Sequence, residues 1–87
     1  MTWDEIRESA AKACRIYHAA MFRARPLDVR STVMMDKRSR PLMYSLRDLQ
    51  EVLASDDCDE LRPVAARMAE RALAHAQDLL EYSKGCP

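Results

Sequence analysis

Apolar side chains recur every three or four residues in the first part of the chain, the spacing that places them on one face of an α-helix. Thr2 followed by Glu5 matches a capping box, in which each side chain binds the backbone N–H of the other residue. Pro26 disfavours helical backbone at the residue before it. The pattern therefore predicts a long helix over about residues 3–24. The apolar positions are Trp3, Ile6, Ala10, Ala13, Tyr17, Ala20 and Ala24.

The C-terminal part of the chain repeats this spacing along two adjacent lines. Lys84 and Gly85 are typical of a helix end, so a second long helix is predicted over about residues 60–83. A helix with two apolar lines needs two neighbours, either two helices of the same chain or one helix and a second copy, and a homodimer is therefore one expectation. The first line is Leu61, Ala65, Met68, Ala72, His75, Leu79 and Tyr82, and the second is Ala66, Ala69, Leu73, Ala76 and Leu80.

The middle of the chain is less regular. Pro41 suits the first position of a helix, and leucines spaced four, three and four residues apart follow it, at positions 42, 46, 49 and 53. A short helix is predicted over about residues 41–54. For residues 28–38 the pattern leaves two alternatives open, a short helix, which we favour, and a small hairpin that turns at residues 36–39.

These elements predict a single all-α domain over residues 1–87, a small helical bundle. Alanine at many stripe positions favours closely packed helices. We expect no membrane span, because no apolar run approaches the ~18–20 residues needed to cross a bilayer, and we read no signal peptide. Three cysteines, an odd number, suggest reduced thiols and a cytoplasmic protein. Eleven Arg against three Lys suggests a GC-rich genome, bacterial or phage.

Charge is segregated along a chain whose formal net charge is zero. Residues 22–47 carry seven basic and two acidic side chains, a balance of +5, whereas residues 48–60 carry six acidic and no basic side chains, a balance of −6. Segregated charge steers and selects partners. The alternative is that the two blocks form ion pairs with each other within the chain.

The charged blocks, together with a methionine, make up the predicted partner-binding set. Arg and Met are enriched at the cores of protein interfaces. We therefore expect a non-enzymatic protein that binds another protein as a regulator, adaptor or inhibitor, as small phage- or plasmid-encoded anti-defence proteins do. The alternative is a nucleic-acid-binding accessory protein that uses basic residues 23–40, although a neutral chain is unusual for that class. The set is Arg23, Arg25, Arg30, Met34, Lys37, Arg38, Arg40, Asp56, Asp57, Asp59 and Glu60.

No catalytic residue, cofactor or metal is predicted. A single Gly excludes a Gly-rich phosphate-binding loop. Cys14 and His18 are four residues apart and could share a helix face, but structural zinc sites usually have two such close pairs. His75, within an apolar line, is expected to be a histidine at the edge of the core.

Overall fold

The computed structural model describes residues 1–24, 29–55 and 58–85, and for Ala24 and Ser31 it describes the backbone alone. Within these residues the chain forms three helices and no strand: α1 (Trp3–Ala24), α2 (Val29–Ala54) and α3 (Arg62–Lys84). The predicted all-α bundle is confirmed. None of the described helices combines the length and hydropathy that crossing a bilayer requires.

The N-terminus of α1 is closed by the predicted capping box. The backbone N–H of Glu5 donates to Thr2 Oγ1 at 3.1 Å, and the backbone N–H of Thr2 donates to Glu5 Oε1 at 3.2 Å. The hydrogen bonds from Thr2, above all the one from its backbone N–H, lower the pKa of Glu5. Two backbone donors that a helix start leaves unpaired are thus satisfied.

The predicted break between residues 38 and 41 is absent, because α2 is one helix of 26 residues that contains Pro41. The hairpin alternative for residues 28–38 is therefore wrong from Val29 onward, and residue 28 lies outside the described residues. A proline inside a helix costs about 3 kcal/mol. Burial of an apolar side chain returns about 1.5–3 kcal/mol, and four residues that flank Pro41 on both sides are buried in the core: Met35, Leu42, Leu46 and Leu49. The Pro41 side chain itself is exposed, so its ring does not disturb the core.

Helix α3 begins at Arg62, two residues later than predicted, and Pro63 occupies its first turn. Its buried line runs between the two predicted apolar lines, so that α3 contacts both α1 and α2. His75 is exposed, which corrects its expected place at the core edge. Several residues of the two predicted lines stay half-buried, and Leu61 is exposed, so the homodimer remains a prediction. The buried residues are Ala65, Ala69, Ala72, Ala76, Leu79 and Ser83.

The most extensive helix interface is that between α1 and α3. Alanines line it on both helices, and such short side chains let helix axes approach to about 8 Å. The core falls into two clusters along the bundle, one around Ala20, Met35 and Leu79 and one around Ile6 and Leu49. Helix α2 therefore runs antiparallel to α1 and α3. The bundle measures 45 × 16 × 15 Å.

Candidate partner-binding face

The charge segregation of the sequence becomes a segregation along the bundle. The N-terminal half of α2 lies at the end where α1 and α3 finish, and it carries most of the basic block. The C-terminal turns of α2 carry Asp48 and Glu51, and Asp59 and Glu60 precede α3 at the same end. The basic block thus lies largely on α2, a helix that also builds the core, and the described acidic residues are divided between α2 and the turn before α3.

The two blocks do not neutralise each other through ion pairs among the described residues. The ion pairs there are local: Arg40 with Asp36 at 3.0 Å, Arg62 with Asp59 at 3.5 Å, and others within α1 and at the end of α3. No pair connects a basic side chain of residues 23–47 with an acidic side chain of residues 48–60 in the part of the chain that the structure describes. Among the described residues, the two ends of the bundle therefore keep opposite charge that is not cancelled by ion pairs between them.

Four of the predicted residues come together on one side of α2. Arg30, Met34 and Lys37 follow each other at spacings of four and three and so share a helix face, with Arg38 beside them on the side towards α3. All four are exposed. Tyr44 extends the same line by two further turns and is 60% exposed. We call Arg30, Met34, Lys37, Arg38 and Tyr44 the α2 stripe.

The other predicted residues lie elsewhere. Arg40 points to the outer side of α2 and is paired with Asp36. Arg23 is exposed at the end of α1. Asp59 and Glu60 stand at the opposite end of the bundle. The positions of Arg25, Asp56 and Asp57 lie outside the described residues.

A small notch opens between α2 and α3 beside the α2 stripe. Its volume is about 150 Å³, and its lining comprises Arg38 from α2 with His75, Asp78 and Leu79 from α3. The guanidinium carbon of Arg38 lies 4.1 Å from the centroid of the Tyr82 ring. The sequence did not predict the α3 residues of this notch, because only the register between two antiparallel helices brings them close to Arg38.

The outer side of α2 is a second exposed surface. Val29 is 82% and Val33 58% exposed, and Arg40 and Arg47 lie on the same side by helical spacing. Val33 and Arg40 lie one helical turn from Lys37 and Tyr44, so this surface adjoins the α2 stripe. Its charge is partly cancelled by the Arg40–Asp36 pair.

The cysteines and histidines do not assemble into a metal site among the described residues, where no group of three potential ligands comes together. Cys14 is half-buried and packs against the core cluster. His18 is exposed and meets the ring of Tyr17 edge-on at 5.3 Å between centroids. Cys58 is half-buried in the turn before α3.

Comparisons with protein-family models, with curated proteins and with solved structures find no match for this chain. The function must therefore be inferred from its own surface.

Proposed function

We propose that the protein is a non-enzymatic binding protein, a regulator, adaptor or inhibitor that recognises an acidic surface of another protein through the α2 stripe. The observation that carries the proposal is the set of three exposed cations, Arg30, Lys37 and Arg38, that have no carboxylate partner among the described residues. Such cations can pair with a partner without first breaking an ion pair to another described residue.

Apolar side chains accompany these cations. Met34 and Tyr44 are large and exposed, and Met, Tyr and Arg are the residue types enriched where protein interfaces are buried. A nucleic-acid backbone uses cations but gains little from an exposed methionine. The mixture therefore favours a protein partner over a nucleic acid.

The dimensions of the bundle suit such an interface. One side measures 45 × 16 Å, which is comparable to the ~800 Å² that each partner contributes to an interface of standard size. The rigid packing of α2 against the core fixes the spacing of its exposed side chains, which limits the entropy lost on binding.

Selection from a displayed library of random 12-residue peptides tests the proposal. The wild type should enrich peptides that combine Asp or Glu with apolar residues. In fluorescence anisotropy, R30Q/K37Q/R38Q should weaken binding of these peptides at least tenfold, and raising NaCl from about 50 to 200 mM should weaken it too. The control K12Q/R15Q/R67Q removes the same charge from α1 and α3, at positions away from the α2 stripe, and should bind nearly as the wild type does.

Three results would overturn the proposal. The first is the absence of enriched acidic peptides, and the second is equal binding by the two triple variants. The third is tighter binding of a 20-nucleotide oligo(dT) than of any peptide, which would favour the nucleic-acid alternative.

A further inference from the structure

The notch between α2 and α3 has the size of one amino-acid side chain. Its volume of about 150 Å³ falls below the ~300 Å³ at which small-molecule sites begin. Roughly five water molecules occupy the same volume in liquid water. A side chain that a partner protein inserts would fill it, whereas most free metabolites would not fit.

Arg38 is held in the notch by its stacking on Tyr82. At 4.1 Å from the ring centroid the guanidinium lies against the π-face, and a stacked guanidinium keeps its N–H groups, which lie in its plane, available to acceptors. Arg38 forms no hydrogen bond or ion pair within the described residues. Among the described residues it is therefore an oriented donor without an acceptor, which is the arrangement that a planar carboxylate matches.

The remaining lining residues favour a carboxylate ligand over a phosphate. His75 offers a second polar group, and Leu79 offers an apolar wall for a methylene stem. Asp78 is acidic and opposes the entry of an anion. This opposition is larger for a phosphate, with nearly two charges, than for a carboxylate with one.

We propose that the notch is the specificity site of the α2 stripe, where Arg38, positioned by Tyr82, binds the side-chain carboxylate of an Asp or Glu of the partner. This inference rests on the proposed function and adds the chemistry of one contact. Asp78 reduces the affinity for anions in general and so restricts the site to a carboxylate that Arg38 engages directly.

The test is an NMR titration with N-acetyl-glutamate-N-methylamide in the millimolar range, which needs no identified partner. The Arg38 Nε–H and His75 ring resonances should shift in a saturable manner, and the glutamine analogue should leave them unchanged. R38Q should abolish binding, whereas R40Q, two residues along the same helix, should retain it.

Three further variants, at two positions, distinguish a loss of binding from a loss of folded structure. Asp78→Asn should tighten binding several-fold, an effect that loss of structure would not produce. Tyr82→Phe should retain binding because the ring remains, and Tyr82→Leu should weaken it about two- to fivefold, with circular dichroism to verify folding of each variant.

The inference is overturned if the glutamate analogue binds no better than the glutamine analogue, if D78N has no effect, or if inorganic phosphate binds more tightly than the glutamate analogue. Acidic peptides that still bind to the α2 stripe in that case would leave the proposed function intact. Conversely, saturable binding of the analogue without any acidic peptide selected would contradict the proposed function alone.

Discussion

Arg38 and Tyr82 form the contact that joins α2 to α3 beside the α2 stripe, with the guanidinium carbon 4.1 Å from the ring centroid. One residue is a predicted site residue and the other is a half-buried residue packed against the core. The contact therefore links the surface proposed for recognition directly to the packing of the bundle.

This contact should be measurable as a coupling energy. A double-mutant cycle on Arg38→Gln and Tyr82→Leu, followed by urea unfolding, should give about 0.5–1 kcal/mol, the usual value for an exposed cation–π pair. The same cycle with Arg40→Gln in place of Arg38→Gln should give a coupling near zero. A coupling of zero in the first cycle would show that the stacked geometry is not maintained in solution.

Pro41 should lower the free energy of unfolding of the protein, because it lies inside a helix. Pro41→Ala restores a backbone donor in the middle of α2 and should raise the free energy of unfolding by about 1–3 kcal/mol. The thermal midpoint should rise by about 4–8 °C for each kcal/mol.

Pro63 provides the matched control, because the first turn of α3 needs no donor at that position. Pro63→Ala should change stability by less than about 1 kcal/mol. A loss of stability in Pro41→Ala would show that α2 is not a continuous helix in solution.

The alanine-lined packing of α3 should tolerate no larger side chain. Ala72 is fully buried, and Ala72→Leu should lower the free energy of unfolding by about 1–3 kcal/mol because the added atoms overpack the core. Ala74 lies on the exposed side of the same helix, and Ala74→Leu should be nearly neutral in the same thermal scan. Equal effects at both positions would contradict the packing described for α3.

The capping box should make α1 sensitive to acid. Thr2→Ala removes the cap and should cost about 1 kcal/mol at neutral pH. The pKa of Glu5 is lowered in the folded state, so its carboxylate stabilises the fold above its ordinary pKa, and this stabilisation is lost as pH falls through the lowered value. Glu5→Gln should flatten the stability-versus-pH curve below the ordinary carboxyl pKa of 4.5, and an unchanged curve would argue against the capping box.

Much of the fold followed from local patterns. The capping box of Thr2 and Glu5 and the three- and four-residue spacing of apolar side chains predicted α1 and α3 closely, because both depend on residues near in sequence. The helix start predicted at Pro41 was wrong. The burial of Met35 and Leu42 on its two sides is a tertiary effect, and it outweighs the local preference of proline for a helix start.

The candidate site was predictable only in part. Arg38 and Arg40 look equivalent in the sequence, and only a continuous α2 helix separates them, since it turns Arg38 towards α3 and Arg40 to the outer side. Tyr82 and His75 carried no signal for the notch, because their approach to Arg38 depends on the register between α2 and α3.

The most direct test of recognition through the α2 stripe is a map of backbone amide shifts on binding of a selected acidic peptide. We predict that the largest shifts fall at Arg30, Met34, Lys37, Arg38 and Tyr44 and extend to residues 75–82 of α3. Shifts confined to α1, or to the acidic end of the bundle, would contradict the proposal.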